Sequence, residues 1–142
     1  MPEQHPFIHI RSSKFPVLPG EDEELVNEGT YGKALSQYLK GELERRGYEV
    51  PFICCEDWGW WVEISGNLFV TGVRVYATEA LPESQELCVV ASPDPGKKWN
   101  WRRLRFVETT AVAAKLQVDL MEIFSSDSGI EVLGLAETYP LS

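Results

Sequence analysis

The stretch Glu56-Asp57-Trp58-Gly59-Trp60-Trp61-Val62-Glu63-Ile64 decides the architecture. From Trp60 onward, Trp60, Val62 and Ile64 alternate with Trp61, Glu63 and Ser65. A period of two belongs to a strand, because successive side chains of an extended chain leave opposite faces. One face is then apolar and the other mixed. Ser65-Gly66-Asn67 turns the chain, and residues 68–77, rich in valine and aromatic residues, give a long second strand. Residues 60–64 and 68–77 therefore predict a hairpin, and a hairpin-built sheet sets the fold class.

The same stretch is the densest in costly side chains. Three of the five tryptophans fall between positions 58 and 61, beside Glu56 and Asp57. Gly59 between Trp58 and Trp60 points to a tight bend, a bulge, or backbone that something approaches closely. The plain reading is a core strand entered through a turn, with Asp57 bonded to nearby backbone N–H groups. The functional reading is a rigid aromatic ledge. In it Glu56 and Asp57 flank a cleft, Trp58 and Trp61 supply its surface, and Arg74 in the following strand offers an anion contact.

On the N-terminal side, residues 48–55 read as a strand. Residues 31–46 read as a helix, with Tyr31, Leu35, Leu39 and Leu43 every four residues and Ala34 and Tyr38 widening the stripe. Thr30 or Asn27 could cap its start, and Gly47 ends it. Residues 12–30 form a long loop carrying the acidic run Glu21-Asp22-Glu23-Glu24, read as a solvated edge or an electronegative docking edge. Ile8 and Ile10 alternate with Phe7, His9 and Arg11 in a first strand. His5 and His9 are then roughly 13 Å apart, too far to share a metal.

On the C-terminal side, residues 87–91 form a short apolar strand. Next comes Lys97-Lys98-Trp99-Asn100-Trp101-Arg102-Arg103-Leu104-Arg105-Phe106, with five of the thirteen basic residues. Cations interleaved with aromatics suit single-stranded nucleic acid, so Trp99, Trp101, Arg102 and Arg103 are candidates for stacking and phosphate contact. The plain reading sets this segment, a possible further strand, against the acidic remainder of the chain. Residues 107–124 give a second helix, with Val112, Leu116, Leu120 and Phe124 every four residues, and residues 130–135 a last strand. The prediction is a single α+β domain over residues 1–142: two layers, a mostly antiparallel sheet with two amphipathic helices on one face.

The 142 residues carry a formal net charge of −9. That argues against nonspecific binding to nucleic acid or anionic membranes and allows a basic protein partner. No apolar run of about 18 residues or secretory leader is visible, and Cys54, Cys55 and Cys88 do not make a disulfide framework, so the cytoplasm is the expected compartment. Vicinal Cys54 and Cys55 point to opposite faces of a strand, which makes them poor joint metal ligands. No nucleotide-binding glycine loop, zinc-protease motif or serine-hydrolase elbow occurs, and no cofactor or metal is implied.

At Leu18-Pro19-Gly20-Glu21-Asp22-Glu23-Glu24, Tyr31-Gly32-Lys33-Ala34-Leu35 and Glu56-Asp57-Trp58-Gly59-Trp60, the chain resembles a group of small uncharacterised bacterial proteins. They share a proline-glycine-acidic loop, a helix beginning Tyr-Gly and an Asp-Trp-Gly-Trp turn. The resemblance covers roughly residues 10–65 and implies a bacterial cytoplasmic protein, with no activity attached. Three functional expectations follow. The leading one is a non-enzymatic module that binds another protein, as some bacterial immunity and antitoxin proteins do by analogy of class. The second is a small-ligand or enzyme site at Glu56, Asp57 and Trp61. The third is nucleic-acid binding through residues 97–105.

Overall fold

Trp60 pairs with Val75, Val62 with Val73 and Ile64 with Thr71, so the central hairpin joins β3 (Gly59–Ile64) to β4 (Thr71–Ala77) as the alternation predicts. The computed structural model describes residues 7–26, 30–65, 71–77, 85–93 and 102–136. Around that hairpin lie β1 (Phe7–Arg11), β2 (Ile53–Glu56), β5 (Glu86–Pro93) and β6 (Glu131–Ala136). They form one sheet in the order β2-β3-β4-β5-β1-β6, with every neighbouring pair antiparallel. The run from β2 to β5 is a meander. The first strand of the chain then inserts between β5 and β6.

Two helices cross between these strands. The helix α1 (Lys33–Arg45) links β1 to β2 and packs on β2 and β3. The helix α2 (Arg102–Ser125) links β5 to β6 and packs on those strands. Leu35, Leu39 and Leu43 of α1 and Leu116, Leu120, Ile123 and Phe124 of α2 are buried in the same cluster as Ile8, Ile10, Trp60, Val62, Val73, Val75 and Val89. Both helices therefore cover one face, and the fold is the expected two-layer α+β arrangement. The helical and strand periodicities converge on it because each element has only one apolar side to bury.

Three boundaries differ from the sequence reading. Residues 102–106 are helical rather than part of a strand, so α2 starts about one and a half turns earlier than the apolar repeat suggests. Before β2, only Glu49 bridges to Ser65, and regular pairing begins at Ile53. Pro51, which has no N–H to donate, interrupts the ladder there. The acidic run is not simply a solvated loop: Glu21–Glu24 is a 3-10 turn, and Glu21 is 1% exposed.

That burial is explained by hydrogen bonds. Glu21 Oε1 accepts from the Leu18 N–H at 2.9 Å, and Oε2 accepts from Gly32 at 2.9 Å and Lys33 at 3.0 Å. The first N–H groups of a helix lack intrahelical partners and sit at the positive end of its dipole, where a carboxylate is favoured. The residue at the cap position of α1 is Gly32 rather than Thr30, with no side-chain cap of its own; Asn27 lies outside the described residues. Gly32 has a φ of +152°, and a Cβ there would stand 3.0 Å from Val75 and 3.2 Å from Trp60. Glycine thus lets the helix start lie directly on the central hairpin, while Glu21 caps it from a distance.

Candidate functional site

The sheet face opposite the helices is built by the other half of each alternation. Register places Cys54, Trp61, Arg74 and Val90 in one row across β2 to β5, and Tyr76, Cys88 and His9 in the next across β4, β5 and β1. Glu56 pairs with Gly59, so Asp57 and Trp58 form the two-residue turn of the β2–β3 hairpin. Gly59 has a φ of +158°, and a Cβ there would lie 2.3 Å from the Val75 carbonyl oxygen. No other residue fits that approach without shifting β4. The turn is therefore pressed onto β4, and Trp58 is laid over the sheet rather than thrown into solvent.

Trp58 is the hub of an aromatic cluster. Its ring centroid is 6.5 Å from Trp61, edge to face, and 5.5 Å from Tyr76, and Tyr76 in turn lies 5.8 Å from Phe7. Phe7 and Tyr76 belong to strands on either side of β5, so their contact bridges over it. Cys88 and Val90 beneath are accordingly buried, at 0% and 5% exposure. Each such ring pair contributes about 0.5–1.5 kcal/mol beyond its area. Trp61 is 4% exposed, its ring lying across Gly72, where a Cβ would meet it at 2.8 Å, and its Nε1–H donates to Glu63 at 2.7 Å. Trp61 therefore supports the ledge from beneath, and Trp58, half-buried, presents it.

Arg74 stands in this cluster. Its guanidinium carbon is 5.0 Å from the Trp58 ring centroid, within cation–π range, and Nη1 donates to the Tyr76 hydroxyl at 3.1 Å. Its Nε is buried with no acceptor. Every other described lysine or arginine side chain is ion-paired to a carboxylate. Among the described residues Arg74 has no such partner, in a chain where acidic residues outnumber basic ones 22 to 13. A buried donor left unmade costs about 1–3 kcal/mol.

The carboxylates around it are already engaged or remote. Glu56 is half-buried and accepts from Cys54 Sγ at 3.3 Å; Asp57 is exposed at the tip of the turn. Burial, followed by the Glu56 carboxylate, pushes the Cys54 thiol up to about 12, and burial alone pushes Cys88 to about 12. Neither thiol is a nucleophile at neutral pH. At the far edge of the face, Arg11 bridges Glu86 at 3.0 Å and Glu131 at 3.3 Å, and His9 Nε2 is 3.0 Å from Glu86. The hydrogen bond from Arg11, ahead of that from His9, holds the Glu86 carboxyl below its ordinary value.

The structure thus gathers Glu56, Trp58, Trp61 and Arg74 on one face, leaves Asp57 exposed at the tip of the adjoining turn, and adds Tyr76 and Phe7. Sequence reasoning missed those two because their meeting depends on strand order, and strand order leaves no local trace. Of the basic segment, Trp99 and Trp101 lie outside the described residues, as do the side chains of Arg102 and Arg103, whose backbone opens α2. Among the described residues, no group of three or more His, Cys, Asp or Glu is placed to hold a metal, and no helix is long and apolar enough to cross a membrane. No family model, curated protein or solved structure matches the chain.

Proposed function

We propose that this protein is a non-enzymatic binding module that meets another protein with the sheet face centred on Trp58. The observation that carries the reading is the pairing of a half-buried tryptophan on a rigid two-residue turn with an arginine that has no carboxylate of its own. Tryptophan and arginine are the residues most enriched at interface hot spots, and here their rotamers are held by Tyr76 and Trp61 before any partner arrives. The net charge of −9 steers a basic partner toward the molecule at long range. The free thiols Cys54, Cys55 and Cys88 suit a reducing compartment, and we place the module in the cytoplasm. A small-ligand or enzyme site at Glu56 and Asp57 has less support, since Glu56 is taken up by a thiol that stays protonated.

The test is capture from a bacterial lysate by the tagged full chain, read for bound protein and for nucleic-acid absorbance. A stoichiometric protein, lost on Trp58→Ala or Asp57→Ala in variants that still unfold cooperatively, is the expected result. Nucleic acid alone in the eluate, or loss of capture only in variants that unfold, would contradict the reading.

A further inference from the structure

Resting on the protein-binding reading above, we infer that the outer edge of β2, beside the Trp58 turn, takes an extended segment of a basic partner as an added antiparallel strand. β2 ends the sheet, with β3 as its one strand neighbour among the described residues. Its hydrogen-bond phase follows from the register. Glu63 donates its N–H to the Phe52 carbonyl at 3.1 Å, so Phe52 and Glu63 form a hydrogen-bonded pair. In an antiparallel ladder such pairs alternate with pairs that exchange no bond. Cys54 with Trp61 and Glu56 with Gly59 are then bonded across to β3, while Ile53 and Cys55 turn their N–H and C=O groups away from it. Among the described residues nothing bonds to those four groups. Each residue of β2 keeps part of its surface in solvent. An edge of this kind is a template for an incoming strand, which supplies the partners.

The edge is short and bounded. Pro51, two residues before Ile53, has no N–H to offer, and the Asp57-Trp58 turn closes the other end. Four residues suit a peptide segment. The opposite edge is less suited: β6 shifts register against β1 between His9 and Ile10, and such a bulge bends an edge strand away from pairing. The side chains of β2 then state what the incoming strand carries. Phe52, just ahead of β2, and Cys54 and Glu56 lie on the outer face with Trp61, and Phe52 is 44% exposed. An antiparallel strand sets one residue opposite Glu56 and, four positions later, one opposite Phe52, both on that face. Cys54 Sγ engages Oε2 of Glu56, and Oε1 makes no hydrogen bond among the described residues. A lysine or arginine answers that carboxylate, and a large aliphatic side chain covers the Phe52 ring. The net charge of −9 attracts such a segment and repels an acidic one.

The test uses the full-length protein with its backbone amides labelled, and the readout is hydrogen exchange at Ile53 and Cys55. The probe is a blocked peptide, lysine-valine-threonine-valine-leucine. It is compared with the same peptide N-methylated at both valines, and with glutamate in place of its lysine. The expected result is saturable binding that slows exchange at both amides, is lost on N-methylation and is at least about tenfold weaker with glutamate. Glu56→Lys should reverse the preference between lysine and glutamate. Equal binding of the N-methylated peptide, unchanged exchange at Ile53 and Cys55, a preference kept in Glu56→Lys, or no saturable binding would each overturn the inference. Slowed exchange that needs no peptide and grows with the protein's own concentration would give the edge to a second copy and overturn it as well. The protein-binding reading fails separately: lysate capture that survives Trp58→Ala sinks that reading. A captured partner lost with Trp58→Ala that leaves exchange at Ile53 and Cys55 unchanged sinks only the role of the edge.

Discussion

Trp60 and Trp61 are adjacent in sequence, both almost wholly buried, and they serve opposite faces of one sheet. Trp60 turns toward the helices, donates its indole N–H to the Thr30 carbonyl at 3.0 Å and packs under the start of α1. Trp61 turns the other way, lies across Gly72 and carries Trp58 and Arg74 above it. The helix-covered face is closed: its side chains are apolar and interlock, and their removal is a matter of stability. The opposite face mixes aromatic rings, an arginine without a carboxylate and several acids. The difference teaches that alternation along a strand lets one short segment build the closed core with its even positions and a mixed aromatic and charged outer face with its odd ones, the face proposed for recognition.

The comparison can be broken most severely at the closed face. Trp60→Ala should cost about 3–5 kcal/mol, the range for deleting a large buried aromatic, read as a lower denaturant midpoint. A cost below about 1 kcal/mol would mean that Trp60 does not hold α1 to the sheet. Gly59→Ala, which tests the link between the faces, should cost about 3 kcal/mol, from overpacking against the Val75 carbonyl and from the left-handed φ. Unchanged stability would show that the turn is not pressed onto β4.

Glu21→Gln keeps the shape of the side chain but removes the charge from three N–H bonds. A loss of about 1–3 kcal/mol is expected, by equilibrium unfolding, and no loss would remove Glu21 as the cap of α1. The smallest effect belongs to Asp127, which clasps the loop after α2 to Lys14, to Tyr38 at 2.6 Å and to the Gly129 N–H at 2.8 Å. The Lys14 ammonium, ahead of Tyr38 and the Gly129 backbone, lowers the Asp127 carboxyl to about 2 from an ordinary 3.8. Its folded value is depressed, so its stabilisation is present above about pH 4 and is lost as pH falls toward 2. Asp127→Asn should therefore flatten the acid limb of stability between those pH values, by less than about 1 kcal/mol for a pair this exposed. An unchanged acid limb would show that the clasp contributes nothing.

Much of this fold was legible in the sequence because its signals are local. The repeat of Leu35, Leu39 and Leu43 and the alternation of Trp60, Val62 and Ile64 each name a buried side, and both sides meet in one core. Gly59 was legible as a close approach. Strand order was not, since the insertion of β1 between β5 and β6 is a long-range choice among pairings of similar energy. Phe7 and Tyr76 therefore could not be joined to the tryptophans in advance. Glu21 was hidden among four consecutive acids, and nothing local marks which one is buried. The available signal was indirect: Gly32 at the cap position leaves the first N–H groups of α1 without a local acceptor, so one had to come from elsewhere. For the candidate site, the sequence supplied the residues Glu56, Asp57, Trp58, Trp61 and Arg74. It could not show that Trp61 is buried beneath Trp58, because adjacent aromatic positions look alike until the small residue diagonally across in β4, Gly72, is known to lie under the ring.

The central claim is that recognition resides on the face opposite the helices and is separable from stability. The most direct measurement is the affinity of the purified captured partner for wild-type and Trp58→Ala protein, taken together with the unfolding free energy of each. The prediction is a loss of affinity of roughly 30-fold or more, as for an interface hot spot, in a variant that still folds, with unfolding lowered by about 1.5–4 kcal/mol for two ring contacts and a cation–π stack. An affinity unchanged by the substitution, in a variant that still folds, would contradict the account.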